Sequence, residues 1–323
     1  MTAPRAFWID TDTASDDAVA LIMALRHRDA DVVGISVVSG NVPVEQGTRN
    51  ALYTVERCGR DTPVHAGAAR PLIRPPDYAF FFHGRDGMGD QHYPAPRRHV
   101  ESAGAVPALV AAVRSHPGLT LVTLGPLTNV ALALRSAPDL VPGVARCVVM
   151  GGTACAVGNV TPAAEFNMWV DPEAAREVIR SGLPIEMVGW ELCRGPANLL
   201  PDEMDRIRAL DTPLARFALD CNRTALRATF EQSRDPGLGL PDPVAMAVAL
   251  EPTVCTRKSR HLVDVETEGD LTRGMTVVDA LGVAGDLRNR EIWGPLAERG
   301  PNVEVCWEID VRRWKGMLVE ALR

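Results

Sequence analysis

Residues 6–25 read AFWIDTDTASDDAVALIMAL. A short apolar run, Ala6–Ile9, stops at Asp10, and a helical apolar pattern takes over from Asp17 to Arg28. Strand, polar turn and helix in succession are the repeating unit of a parallel sheet. The unit recurs along the chain: Val32–Val38 precedes Val44–Cys58, Leu119–Leu124 precedes Leu127–Arg135, and Ala145–Met150 precedes Pro172–Ser181 and the further run Ile185–Val188. These strand runs are continuously apolar, as in sheets covered on both faces. From Asp202 to Leu250 the pattern is mostly helical, and strand-like runs return at His261–Val265, Met275–Val278 and Val303–Trp307. No Ser/Gly linker or charge block interrupts the series. The expected fold is α/β, a single domain over residues 1–323 with an open, mostly parallel β-sheet flanked by helices.

Composition narrows the function classes. A chain of 323 residues that is 46% hydrophobic and 23% charged has ample core, which excludes disorder and coiled coil. Its net charge of −7 lacks the positive field that a phosphate backbone or an anionic membrane rewards, so no nucleic-acid or membrane partner is expected. No apolar stretch reaches transmembrane length, and the N-terminus lacks a signal-type apolar run. The seven cysteines are scattered with no C-x-x-C pair and read as reduced thiols, so a cytoplasmic location is expected.

Asp10, Asp12, Asp16 and Asp17 fall within eight residues at the end of the first strand. Helix capping by Asp16 or Asp17 accounts for one or two of them, not four. Oxygen ligands crowded in this way suit a hard divalent cation, with carboxylates to spare for hydroxyls or for a base. Two long irregular segments, 70–98 and 151–167, supply the loops beyond strand ends where open α/β sheets bind ligands.

The stretch DTDTASDDA resembles the signature D-x-D-P-G-x-D-D-A of the inosine-uridine-preferring nucleoside hydrolases, with Thr13-Ala14 replacing the Pro-Gly pair. Further matches follow in the family's order: VVSGNVPVEQGTRNA at 37–51, LGPLTNVALA at 124–133, VMGG at 149–152, AEFNMWVDPEAA at 164–175 and DPVAMA at 242–247. The resemblance implies a Rossmann-like nucleoside hydrolase fold and Ca²⁺-dependent cleavage of the N-glycosidic bond of ribonucleosides to free base and ribose. It places Ca²⁺ on Asp12, Asp17, Asp242 and the Leu124 carbonyl, and makes Asp12 the general base on a metal-bound water. Asp16, Asn41, Asn159, Glu165 and Asn167 would hold the ribose, with Met150 beneath it. It also implies a homodimer or homotetramer.

Taken singly, these residues have ordinary explanations. Asn41 after Gly40 and Asn159 after Gly158 are turn residues, and Asp242 is a helix N-cap before Val244. Glu165 and Asn167 at i, i+2 share one face of a strand, with Phe166 pointing away. Splitting an N-riboside requires a positioned water, negative charge near an oxocarbenium-like sugar, and relief for the departing base. Family members often carry His just before the second metal Asp, but here Pro241 stands there and donates no proton. His83 in FFHGRDG is then the candidate to meet the base. Arg85 and Asp86 share its loop, and Phe80–Phe82, Trp190 and Trp169 are candidate stacking surfaces. Asp12, Asn41 and His83 are thus the candidate catalytic residues. The candidate substrate contacts add Asp16, Met150, Asn159, Glu165, Phe166, Asn167 and Asp242.

Two other readings stay open on sequence. DTDTA after a strand superficially resembles the haloacid-dehalogenase-type phosphotransferase motif, although Lys258 is the only central lysine and no convincing acidic pair follows it. A nucleoside- or ribose-binding protein with little or no turnover is the other, suggested by Pro241.

Overall fold

The computed structural model describes residues 4–323. The first half of the chain forms β1 (Arg5–Thr11), α1 (Ser15–Arg26), β2 (Ala30–Val37), α2 (Val44–Arg57), β3 (Val64–Ala66), the single turn α3 (Phe80–His83), α4 (Ala105–Ser115), β4 (Leu119–Thr123), α5 (Thr128–Ser136) and β5 (Val144–Met150). Then come α6 (Phe166–Val170), α7 (Pro172–Ile179), β6 (Ile185–Val188), α8 (Pro201–Arg208), α9 (Pro213–Asp220), α10 (Arg223–Ser233) and α11 (Pro241–Leu250). The chain ends with β7 (Cys255–His261), β8 (Val263–Val265), β9 (Thr276–Val278), α12 (Arg290–Trp293), β10 (Val303–Ile309) and α13 (Val311–Ala321).

Eight strands form one sheet in the order β3-β2-β1-β4-β5-β6-β10-β7, all parallel except β7, which pairs antiparallel with β10. The expected mostly parallel sheet is therefore present. From β1 the chain winds outward to β2 and β3, then returns to the other side of β1 to lay down β4, so the order reverses between β1 and β4. Such a reversal opens a crevice at the carboxyl ends of the two strands, and Asp12 and Leu124 follow those ends.

Two helices fix the acids that enter this crevice. Every residue of α1 from Ser15 to Leu25 is buried, as is every residue of α11 from Asp242 to Leu250. Helices apolar on all sides belong in the middle of a core, and α1 and α11 pack against each other there. Pro241 occupies the first turn of α11, where its missing N–H costs nothing and its fixed φ suits the helix. Asp242 consequently lies inside the first turn, and Leu240 holds the N-cap position that the sequence reading gave to Asp242.

The run His261–Val265 is not one strand. His261 closes β7 and Val263 opens β8, which pairs with β9 in a separate hairpin, because Asn302 bridges both the N–H and the carbonyl of Val263 and draws the chain off the main sheet. Helix α4, which the sequence pattern did not mark, turns Ala105, Leu109, Ala112 and Val113 inward as the crossover from β3 to β4.

Candidate active site

Asp12 leaves the end of β1 wholly buried, with its Oδ2 accepting the Asn41 N–H at 2.6 Å. Its Oδ1 has no hydrogen-bond partner among the described residues. Asp17, three residues past the α1 N-cap position, reaches back to accept the Ala14 N–H at 2.8 Å and also takes the Thr11 hydroxyl. The turn between them carries Thr13 at φ +24°, in a region that β-branched residues rarely occupy; this is the place where the family signature has Pro-Gly.

Asp16, Asp17 and Asp242 bring one oxygen each within 4.8 Å of one another, all buried. Asp12 adjoins them, and the charges of Asp17 and Asp16 act on its carboxylate. Asp16, assigned to ribose by the resemblance, is thus also a member of the tightest acidic trio. At that separation two charges repel by about 3–4 kcal/mol with an effective dielectric of about 20. The N-termini of α1 and α11 return on the order of 1 kcal/mol each. Repulsion and burial win: burial first, then neighbouring acids, hold Asp12 and Asp242 well above the usual carboxylate range, and Asp17 is pushed up to about 6. Burial alone pushes Asp16 to about 6, against opposing backbone hydrogen bonds. Among the described residues no lysine or arginine offsets these charges; His83, 3.7 Å from Asp16 Oδ1, is the basic group beside them. Four hard oxygen donors, two of them with an orphaned buried oxygen (Asp12 Oδ1 and Asp16 Oδ1), fit a divalent cation.

A cavity opens beside the acids. Asp16, Asn41, Met150, Asn159, Glu165, Phe166, Asn167, Asp242, Leu124 and His83 all line it, so of the expected site residues only Asp12 and Asp17 lie behind its wall. Glu165 and Asn167 do not sit on a strand. Glu165 caps α6, accepting from the backbone N–H groups of Asn167 at 2.8 Å and Met168 at 3.2 Å, and its other contact is the Gly152 N–H at 2.8 Å. The orphan donors of a helix start, satisfied by this carboxylate, turn the segment into a helix, and Phe166 faces the same cavity as its neighbours instead of pointing away. Burial raises Glu165 to about 7 against those three hydrogen bonds. Asn167 Nδ2 donates to the Leu124 carbonyl at 2.9 Å and the Met150 carbonyl at 3.2 Å, while Asn159 Oδ1 accepts the Phe166 N–H at 2.8 Å.

Aromatic side chains complete the lining: Phe81, Phe82 and Trp190 join it with Val160, Gln232 and Pro241, and the Arg194 guanidinium lies 4.3 Å over the Trp190 ring. Phe80 is outside this lining, against Tyr78, and Trp169 lines a separate cavity with Arg74 and Arg273. Asp86 is also elsewhere: its carboxylate ties its own loop through the N–H groups of Met88, Asp90 and His92. His83 is only 6% exposed, with Nδ1 2.8 Å from Ser15 Oγ, and burial lowers it to about 4. Ser15 and Gln232 are participants that sequence did not single out. Each joins the site through a contact far along the chain, Ser15 to His83 and Gln232 to the Asn159 carbonyl at 2.6 Å.

The inosine-uridine preferring nucleoside hydrolase family model matches residues 7–316. The chain belongs to this family. It is 38% identical over 307 residues to a pyrimidine-specific ribonucleoside hydrolase, RihA, from Shewanella oneidensis, covering 93% of this chain and 94% of that one. Among solved structures it superposes on the plant nucleoside hydrolase PpNRh1 with a TM-score of 0.90 at 28% identity over 99% of both chains. A purine-preferring ribonucleoside hydrolase from Gardnerella vaginalis gives 0.87 at 30% identity over 98% of both. Membership makes the chain a nucleoside N-ribosyl hydrolase and removes the ground for a phosphotransferase. Lys258, which that reading needed, is paired with Glu186 at 3.0 Å.

Proposed function

We propose that this hydrolase cleaves the N-glycosidic bond of ribonucleosides with the help of Ca²⁺ held by Asp12, Asp17, Asp242 and the Leu124 carbonyl. The observation that carries the reading is the junction of buried carboxylates, which have no lysine or arginine partner among the described residues, with a cavity lined by both polar and aromatic side chains. When bound, the cation offsets the carboxylates' mutual repulsion and supplies a Lewis acid toward oxygen.

The chain's own residues divide the remaining work. Asp12 is fixed through Oδ2 by the Asn41 N–H, which leaves Oδ1 to take the proton of the attacking water as general base. Asp16, Asn41, Asn159, Glu165 and Asn167 hold the sugar. A carboxylate offers about four lone-pair sites, and Glu165 spends three on backbone N–H groups, so one remains for a ribose hydroxyl. Phe81, Phe82 and Trp190 form a slot for a planar base. Pro241 lines the same cavity without a proton to give, and His83, which lines it too, is the side chain assigned to the leaving base. The family resemblance further supports a homodimer or homotetramer, and the scattered free cysteines support a cytoplasmic location.

A panel of purine and pyrimidine ribonucleosides with p-nitrophenyl riboside, assayed for released reducing sugar, tests the reading. Ribose release from at least one nucleoside is expected. Tight nucleoside binding with no ribose from any of them would favour a binding protein.

A further inference from the structure

Ser15 occupies the second variable position of the acidic motif, between Ala14 and Asp16. It is wholly buried at the start of α1, and its carbonyl accepts from Asn222 Nδ2 at 3.0 Å, which ties this turn to the junction of α9 and α10. Among the described residues its hydroxyl meets one polar partner, His83 Nδ1, at 2.8 Å. The imidazole lies beside the Phe82 ring, 4.9 Å between centroids, and forms part of the cavity wall. With Nδ1 engaged by Ser15, Nε2 is the nitrogen left to serve the substrate.

A neutral imidazole has one donor and one acceptor nitrogen, and the partner of the first decides the role of the second. If Nδ1–H donated to Ser15, the hydroxyl proton would be buried with no acceptor, at a cost of about 1–3 kcal/mol. If the hydroxyl donates to Nδ1, both groups are satisfied. Asp16 Oδ1, 3.7 Å from Nδ1, is outside hydrogen-bond reach and does not change this balance. We propose that Ser15 is a positioning residue: its hydroxyl donates to His83 Nδ1, holds the ring in the Nε2–H tautomer, and thereby presents an N–H donor to the departing base where Pro241 presents none. The inference rests on the hydrolase reading given above.

The test uses the full chain with ¹⁵N-labelled histidine, the His83 signals being assigned with His83→Gln. A pyridine-like Nδ1 and a protonated Nε2 are expected in the unaltered protein, moving toward a tautomer mixture in Ser15→Ala. In turnover, Ser15→Ala should lower kcat on its best nucleoside about tenfold more than kcat on p-nitrophenyl riboside, whose leaving group needs no proton. Introduced into His83→Gln, the same substitution should add no further loss on the nucleoside. A protonated Nδ1 in the unaltered protein overturns the proposal, whether or not any riboside is cleaved. Equal losses on the two substrates, or additive losses in the double variant, overturn it as well. If the unaltered protein cleaves no riboside, the hydrolase reading fails and the catalytic use of the N–H fails with it, while the tautomer spectrum still decides the Ser15 contact.

Discussion

Gly40 stands so close to Asp12 that a Cβ there would lie 2.0 Å from Asp12 Oδ2 and 2.7 Å from the Pro126 ring. Neither neighbour is free to retreat, because Asp12 is held by the Asn41 N–H and Pro126 is rigid. Gly40→Ala should therefore push the Asp12 carboxylate off its position and lower kcat by about 10²-fold, the scale of an ångström-sized misplacement, while the chain still folds; a kcat within threefold of the original would show that Asp12 tolerates displacement. Asp12→Asn keeps the shape but removes the base and a ligand charge. Its turnover should drop by about 10²–10⁴-fold, whereas Asn167→Ala, which frees the Leu124 and Met150 carbonyls and loosens the sugar wall, should raise KM more than it lowers kcat. Steady-state kinetics on one nucleoside compares all three. At this scale the acids were legible in sequence because they are contiguous with an unmistakable strand and helix. Ser15 was not, since its meaning lies in a side chain 68 positions away.

Among the elements, β1, α1, β2 and α2 were legible because their apolar patterns are long and uninterrupted, while β3, with three residues, and α6, with five, are too short to show a period. The error over Glu165 and Asn167 has the same origin: two residues at i, i+2 cannot tell a strand from the capped start of a single helical turn. Strand order was beyond the sequence as well, because pairing of β6 with β10 and of β10 with β7 joins segments far apart in the chain. That end of the sheet is fastened by Glu186 of β6, which accepts from Arg146 Nε of β5 at 2.6 Å and from Lys258 Nζ of β7 at 3.0 Å. Burial alone would raise the Glu186 pKa, but the two cations outweigh it and hold it below the usual range. A depressed folded pKa means that the stabilisation is fully present above the unfolded value, about 4.3, and is lost as pH falls through the folded value. Glu186→Gln should lower unfolding free energy by about 2 kcal/mol at pH 7, and the gap between the two proteins should close below about pH 4. Urea denaturation across that range measures it; a gap independent of pH would mean that the contribution is packing and not charge.

For the whole molecule, the acidic centre is a concentration of like charge inside the core. α1 and α11 are anchored along their full buried lengths, so the carboxylates at their N-termini cannot move apart to relieve one another without unpacking both helices. The fold therefore retains a repulsion that protons or a cation must offset, and a cation bound only by the folded chain adds RT ln(1 + [L]/Kd), about 2.7 kcal/mol at a hundredfold excess over Kd. For a chain of 323 residues each kcal/mol moves Tm by roughly 1–2 °C, given an unfolding entropy of about 2.1 cal/mol/K per residue. Adding millimolar Ca²⁺ after chelation should raise Tm by about 3–5 °C, and the shift should be larger with Ca²⁺ than with Mg²⁺, which demands a tighter octahedral shell and gives up its waters reluctantly. Asp242→Asn removes one ligand charge and part of the repulsion together. It should consequently raise Tm in chelator while abolishing most of the calcium-dependent increment, a pair of opposite signs that simple damage to α11 would not produce. Thermal scans of both proteins with chelator, Ca²⁺ and Mg²⁺ make the comparison, and a variant less stable than the original under every condition would show that Asp242 is held for packing and not for a metal.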